Sequence, residues 1–505
     1  MMWIDIRLCN FFEANEYAVK LLQRFAFGGK LICVNPFVRL YHPRYMVKKE
    51  LVCGALPSLK EAYSTSFKIS WPSAIEQVLV AAMGFIDTIM VSSMGELAIN
   101  AVGITTQPKF LLMALLLSLN TGITAVVARR RGEKDYDGAR RTLKQTLLIC
   151  SALSALMTVC AIILAKPLLS LAGAEQSYVS DAVAYFRIVM IGQFFGCIGM
   201  AINAAQRGFG NTRIAMISNT AANLVNILFN FLLINGVWIF PRWGVVGAAV
   251  ATALGSFVAF LMALFSVLKP RVNTDTPTLS LLGKGSWRAD KRTTSSVVRV
   301  SSSAFAEQIC LRFGFFAYVA IVARLGEIPY ATHLICMNII HISFSFADGF
   351  GIGATALVGR SLGEARPDLA MIYCKVGQRY SATIGLFLSL CFVLLRKQLI
   401  MLFSSDPAVI ALGSIIVLFV ALACLFQTSQ VVLSGCLRGA GDSRYVAISS
   451  LISVGVFRPL ISYILCYPLG LGLVGAWIGL CLDQFIRLAF SSMRMRGTKW
   501  LTIKL

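Results

Sequence analysis

The chain repeats part of itself at a fixed spacing. Gly95-Glu96 returns as Gly326-Glu327, and Glu76-Gln77 returns as Glu307-Gln308. The run Gly122-Ile-Thr-Ala-Val-Val-Ala-Arg129 returns as Gly353-Ala-Thr-Ala-Leu-Val-Gly-Arg360, and Arg207-Gly-Phe-Gly-Asn-Thr-Arg213 as Arg438-Gly-Ala-Gly-Asp-Ser-Arg444. Each pair is separated by 231 positions (326 − 95, 438 − 207). Register held over four motifs marks a tandem duplication, so whatever one half folds into, the other must fold into as well.

The duplicated unit reads as a bundle of membrane helices. Mean hydropathy is +0.75, with 57% hydrophobic and 14% charged residues over the 505-residue chain, values typical of membrane-embedded chains. Apolar runs of about twenty residues match the bilayer core at a rise of about 1.5 Å per residue. The first half holds six: Ile69–Ser93, Gln107–Ala128, Leu143–Ala165, Asp181–Ala205, Ala215–Ile234 and Val245–Leu268. The second half holds six more: Val297–Ala323, Ala331–Leu357, Val376–Leu395, Pro407–Leu433, Tyr445–Leu465 and Leu471–Phe490. The expected fold is an all-α integral membrane protein of twelve transmembrane helices. Because six is even, the repeats lie parallel, related by a pseudo-two-fold along the membrane normal.

A formal net charge of +23 would suit nucleic acid, but its placement points to a lipid bilayer and no nucleic acid. Basic residues fill alternate loops: Arg129 to Lys144, Arg207 and Arg213, Lys269 to Arg292, Arg360 to Arg379, Arg438 and Arg444. The intervening loops are sparse in Lys and Arg. By the positive-inside rule the rich loops and both termini are cytoplasmic, in a multi-pass protein of the cell inner (cytoplasmic) membrane.

The expected divisions are a cytoplasmic extension (1–68), two six-helix lobes (69–268 and 297–490), a mobile cytoplasmic linker (269–296) and a tail (491–505). The extension has no twin in the second half and no clean signal-peptide core, and Met46 reads as a plausible true start. The fourteen cysteines form no Cys-x-x-Cys pair, and His42, His333 and His341 have no zinc-like spacing. No cofactor is expected.

An ionisable side chain at the centre of a lipid-facing helix costs about 2.5–3.5 kcal/mol on insertion scales, so each one needs a reason. Asp87 lies in Met83-Gly-Phe-Ile-Asp-Thr-Ile-Met90. It reads as a carrier of a coupling cation, or else as a polar contact near the membrane interface. Glu76 shares its helix face about 16 Å away. Asn219, Asn223, Asn226 and Asn230 make a polar stripe on the fifth helix, which could hold a cation or glue helices together. Thr252 adds a hydroxyl on the sixth. Glu76 and Glu307 are repeat equivalents, and duplication favours a structural or gating role over direct coupling. Arg312 could neutralise a carboxylate on a neighbouring helix. Asp348 has no twin, position 117 being Leu; it could handle substrate or protons, or contact Ser343 or Ser345 locally. Asp483 and Arg487 have the spacing of an i, i+4 ion pair. Arg458 could anchor packing or face a cavity. The Arg-Gly-x-Gly turns lack the Gly-Lys-Ser/Thr of a phosphate loop, and no ATPase motif is visible.

At these residues the chain resembles the multidrug and toxic compound extrusion (MATE) family. The matching segments are Pro72 with Glu76, Gly84-Phe-Ile-Asp87-Thr, Arg207-Gly-Phe-Gly-Asn-Thr, Gly244-Val-Val-Gly-Ala-Ala-Val-Ala-Thr252, Leu357-Val-Gly-Arg-Ser-Leu-Gly-Glu364 and Gly497-Thr-Lys-Trp500. They run from about Phe67 to the C-terminus.

The resemblance implies a secondary antiporter of two six-helix lobes that exports small organic, cationic or amphipathic compounds in exchange for sodium or protons. The cation site of the family's DinF-like branch carries over onto Asp87, Asn226, Asn230 and Thr252. Sodium there would be the one metal involved. Asn230 stands where a second Asp is frequent, leaving Asp87 the lone carboxylate. The NorM-like branch places acids where this chain has Leu311 and Gln427, so the DinF-like pattern fits better. Glu76, Glu307, Arg312 and Asp348 remain candidate cavity or gating residues. The expected partners are small-molecule substrates and lipid, with the protein a monomer. The rival transport reading is a lipid-linked or polysaccharide flippase of the related superfamily, against which twelve spans and a carboxylate in the first helix count. An enzyme or receptor would need a catalytic cluster or a sizeable soluble domain, which the sequence lacks.

Overall fold

The computed structural model describes residues 42–237, 240–269, 278–282, 287 and 290–503. Its helices exceed the apolar runs because amphipathic turns continue each helix beyond the stretch that hydropathy marks. In the first repeat they are α1 (Leu59–Ser92), α2 (Glu96–Gly132), α3 (Tyr136–Ile163), α4 (Val179–Gly208), α5 (Thr212–Asn235) and α6 (Gly244–Leu268). In the second they are α7 (Lys291–Ala323), α8 (Glu327–Gly363), α9 (Pro367–Leu394), α10 (Pro407–Gly439), α11 (Ser443–Cys466) and α12 (Gly472–Arg496). All twelve are long and apolar enough to cross a membrane, as their composition requires.

The duplication extends to local backbone. A short helix after α3 (Ala165–Leu171) recurs after α9 (Arg396–Met401), again 231 positions on (396 − 165). The turns leaving α2 and α8 carry the only non-glycine positive-φ residues among those described, Lys134 (φ 58°) and Ala365 (φ 54°), which are twins. Thr124 Oγ1 donates to the Ala204 carbonyl at 3.1 Å, and Thr355 Oγ1 to the Gly435 carbonyl at 2.8 Å.

The lobes meet through twin contacts as well. α1 packs on α8, α7 packs on α2, and α2 crosses α8. Ser70 abuts Gly353 as its twin Ser301 abuts Gly122, each serine Oγ lying 2.2 Å from where a Cβ would stand. At the α2–α8 crossing Gly132 and Gly363 face each other so closely that a Cβ on Gly132 would lie 2.8 Å from the Gly363 Cα, and the reciprocal distance is 2.9 Å. A pair of twins in mutual contact marks where the pseudo-two-fold passes. The close approaches that glycines make between lobes fall at the end of the bundle that carries Arg129, Arg130, Arg131 and Arg360, here termed the basic end.

The segment before α1 forms a strap across that end. Ser58 Oγ accepts from Glu61 N–H at 3.2 Å and caps α1, so this helix starts ten residues ahead of its apolar run. Upstream, the chain lies on α9 of the other lobe. Met46 is 2% exposed, its carbonyl accepts from Lys375 Nζ at 2.5 Å, and Arg379 donates to the Tyr63 hydroxyl at 3.0 Å. Arg366 donates to the Ala55 carbonyl at 2.8 Å while chelating Asp368. Arg366→Ala is therefore expected to free residues 52–57 and raise protease cleavage there, with the lobes otherwise intact; unchanged cleavage would show that Arg366 does not hold the strap.

Positions 1–41 and most of 270–289, with Arg271, Lys284 and Arg288, lie outside the described residues. The described parts of the linker are docked rather than loose. Leu279 is buried against α3, α4 and α6, the N–H of Leu281 donates to the Val267 carbonyl at 2.8 Å, and Trp287 lies 5.4 Å from Lys144 Nζ.

Candidate functional site

The first lobe brings Asp87, Asn226, Asn230 and Thr252 together. α5 presents Asn226 and Asn230 one turn apart on a face that is buried, so their amides must find partners inside the protein. Asn230 Nδ2 donates to Asp87 Oδ1 at 2.8 Å. The Asn226 amide also lies 2.8 Å from Asp87 Oδ1. With its nitrogen toward the carboxylate it donates there, and its oxygen accepts from Thr252 Oγ1 at 3.3 Å and Thr252 N at 3.2 Å. That orientation satisfies both ends of the amide. With the oxygen turned to Asp87 instead, two oxygens would face each other, a contact that needs a proton on the carboxyl or a cation beside it. One side chain can thus serve both charge states of the site.

Asn219, three turns down the same helix, does a different job: it donates to Glu76 Oε1 at 2.6 Å. Asn223 Nδ2 is buried without a hydrogen-bond partner. The stripe is therefore divided between two sites.

Two further residues at Asp87 escape sequence reasoning. Tyr185 of α4 lies beside Thr252 and within electrostatic reach of Asp87, and Lys109 of α2 lies within electrostatic reach of the same carboxylate. A lone lysine inside the apolar run Gln107–Ala128 is by itself signal enough to single out Lys109; Tyr185 carries no comparable mark.

The carboxylates nearer the basic end form a second, symmetric arrangement. Arg207 bonds Glu76 at 2.7 Å and its twin Arg438 bonds Glu307 at 2.7 Å. Asn219 completes the first pair, and its twin Ser450 (450 − 219 = 231) donates to Glu307 Oε1 at 3.3 Å. Both glutamates are buried. Asp348 lies where the charges of Arg438, Arg207 and Glu76 all act on it. It makes no contact with Ser343 or Ser345, whose hydroxyls turn to the carbonyls of Ile340 and His341; Ser343 also bonds Gln427 at 3.1 Å.

Two sequence expectations about arginines are corrected. Arg312 is not paired with a carboxylate among the described residues; its guanidinium lies over the Phe110 ring, 5.0 Å from the centroid, in the other lobe. Asp483 pairs with Arg458 of α11 rather than with Arg487 one turn along its own helix. Both members of that pair are at most 1% exposed.

The chain has relatives along nearly its whole length. A family model described as MatE matches residues 72–232 and again 304–464. The multidrug resistance protein PmpM of Pseudomonas aeruginosa is 30% identical over 451 residues, covering 84% of this chain and 90% of that protein. A probable multidrug resistance protein NorM of Thermotoga maritima is 25% identical over 433 residues, covering 86% and 92%. A solved structure described as the outward-facing conformation of a multidrug resistance MATE family transporter of the MOP superfamily superposes with a TM-score of 0.80. It is 21% identical and covers 87% of this chain and 97% of that one.

Proposed function

The chain belongs to the MatE family, and from that premise we propose that it is a cation-coupled antiporter exporting small organic compounds, coupled through Asp87. The observation that carries this reading is a carboxylate inside a membrane helix held by neutral amides from α5, with Thr252 of α6 at the second amide. Amide and hydroxyl oxygens around one carboxylate suit sodium, and the same geometry accepts a proton. With Asn230 in place of a second acid, the site carries one negative charge and loads one positive charge. This is the DinF-like pattern.

The basic end is taken as cytoplasmic by the positive-inside rule, with both termini there and the lobes at 69–268 and 297–490. The lobes are then drawn together on the cytoplasmic side, and Asp87 lies toward the outside. A cation entering from outside neutralises the Asp87 carboxylate, whose field also reaches Lys109 of α2. Lys109 is on α2, the helix that crosses the other lobe at Gly132, so the charge on α1 is felt by a helix of the inter-lobe contact. A cation shifts the balance between outward and inward states only as far as its affinities for them differ. Each Glu–Arg pair joins two helices of one lobe, α1 to α4 and α7 to α10, and Asp348 of α8 feels the charges of both arginines; these are the candidate gating elements. Arg312, stacked on Phe110, lies at the lobe boundary.

Transport of a fluorescent cationic dye in proteoliposomes, under an imposed sodium or proton gradient, tests the coupling. The wild type is expected to respond to one gradient, and Asp87→Asn to lose that response while still binding dye. Equal gradient-driven transport by both proteins would remove Asp87 from the mechanism.

A further inference from the structure

The second lobe contains a counterpart of the Asp87 site that a residue-by-residue offset of 231 does not reveal. Early in α11 that offset holds, since Asn219 and Ser450 bond the twin glutamates. By the end of the helix it has become 232. Trp243 N–H donates to the Leu233 carbonyl at 2.9 Å, and Leu471 N–H to the Leu465 carbonyl at 3.0 Å (465 − 233 = 232). Likewise Gly247 packs on Leu233 and Gly475 on Leu465, giving an offset of 228 for α12 (475 − 247). The extra residue of α11 sits in its π-helical stretch, Leu451–Phe457, where one widened turn absorbs an insertion inside an otherwise regular helix.

In this register the counterparts of Asn226 and Asn230 are Arg458 and Ser462. Gly255, whose Cβ would lie 3.2 Å from Asn226 Cβ, corresponds to Asp483 (255 + 228). The correspondence is physical: Asp483 is the residue that Arg458 bonds, through Nε at 3.2 Å and through Nη2. Asp87 corresponds to Tyr318 of α7, whose ring centroid is 5.7 Å from the Arg458 guanidinium and whose hydroxyl donates to the Ala476 carbonyl at 3.2 Å. Each lobe thus places a carboxylate among these corresponding helices, the half-buried Asp87 on α1 in the first and the fully buried Asp483 on α12 in the second. In the first lobe it is held by amides. In the second a guanidinium is bonded to it, and Phe315 lies 4.6 Å from that guanidinium.

We propose that Arg458 is a tethered cation that permanently fills the second lobe's counterpart of the coupling site, and that its removal uncovers a monovalent-cation site on Asp483. A guanidinium does not deprotonate in proteins, so this lobe neither loads nor releases an ion, and the response to the gradient is confined to the first lobe. Asp483 Oδ1 is completely buried and has no hydrogen-bond partner. It is a buried acceptor without a donor, on the carboxylate that Arg458 bonds. The other charged or titratable groups around the pair are Arg487, one turn along α12, then Cys481 and His333 within electrostatic reach of Arg458, and Tyr318 with Cys336 and Cys466 near it. The inference rests on the reading of Asp87 as the coupling group, and the test separates the two.

The test is ion-dependent thermal stability of the purified full-length protein, titrated with sodium against choline at constant ionic strength and, separately, with pH. The wild type is expected to show an ion-dependent melting temperature and Asp87→Asn to lose it. Adding Arg458→Asn to Asp87→Asn should restore it, with a rise of a few degrees on loading. Adding Asp483→Asn to that protein should abolish it again. If the Arg458→Asn protein folds only at high sodium or low pH, the proposal is equally supported. If it folds with no ion dependence, or fails under every ion while the Arg458→Asn, Asp483→Asn protein folds, Arg458 is only half of a structural ion pair and the proposal falls. A wild type without ion dependence beside an Arg458→Asn protein that has it would overturn the Asp87 reading and keep this one.

Discussion

Arg438→Leu is expected to lower stability by about 3–5 kcal/mol, because it strands the buried Glu307 carboxylate without its counter-ion. Glu307 is 1% exposed; without Arg438 it keeps the Ser450 hydroxyl at 3.3 Å, which cannot neutralise it, and the field of Arg487, to which no described hydrogen bond joins it. The double variant Arg438→Leu, Glu307→Leu should recover most of the loss, since two apolar side chains of suitable volume often replace a buried pair without net cost. The twin pair sets an internal control. Arg207→Leu strands Glu76 in the same way, yet Glu76 keeps the Asn219 amide at 2.6 Å, a closer donor than Ser450. Its loss should therefore be the smaller of the two. Asp348 adds a third term. It shares the fields of Arg438 and Arg207, so Asp348→Asn should soften Arg438→Leu by removing a second uncompensated carboxylate, a coupling that neighbours sharing a partner are expected to show. Melting curves in detergent for the six proteins measure these effects. Losses that simply add, with no recovery in the Glu307 double variant, would mean that the pair is not the buried unit described here.

How much of this was legible beforehand follows from what each signal encodes. Hydropathy and a fixed repeat are long-range averages, and they place twelve helices in two parallel sets. Helix ends are local chemistry: α1 begins at Leu59 because Ser58 caps it and Tyr63 is held by α9, which no apolar window registers. Asp87, Asn226, Asn230 and Thr252 each stand out as polar exceptions within apolar runs, but it is the family resemblance that groups them as one candidate site, since the asparagine stripe alone reads as readily as glue between helices. Lys109 is the same kind of exception, yet it vanishes when a run is judged by its mean. The partner of Asp483 could not be read. Arg487 has the helical spacing, whereas Arg458 lies 25 positions away on another helix, and it is turned toward Asp483 by a π-helical insertion that composition does not announce. The twin Glu–Arg pairs lay inside repeated motifs, but spacing alone does not say that α1 meets α4.

Gly132→Ala should produce the second large effect, and it bears on how the lobes rock. A Cβ at Gly132 would lie 2.0 Å from the Arg360 carbonyl oxygen and 2.8 Å from the Gly363 Cα. These are backbone atoms of α8, so no rotamer change relieves the clash and the helices must separate. Overpacking of this kind costs about 1–3 kcal/mol. The strain exists only while the lobes are closed at the basic end, so the cost shifts the conformational balance toward the open arrangement, about tenfold for each 1.4 kcal/mol. Gly363→Ala meets the Arg129 carbonyl at 2.2 Å and should behave alike, because each glycine is the other's obstacle. Gly103→Ala, with nothing within 4 Å of its Cβ, is the silent control. Hydrogen–deuterium exchange over residues 125–132 and 356–363 should rise in both glycine variants and not in the control, with gradient-driven transport reduced in step. Unchanged exchange in either variant would show that α2 and α8 do not bear on each other there. The pseudo-two-fold would then have to pass through another contact. Equal effects from the twin substitutions would place the axis of the rocking motion at the same crossing as the axis of the duplication.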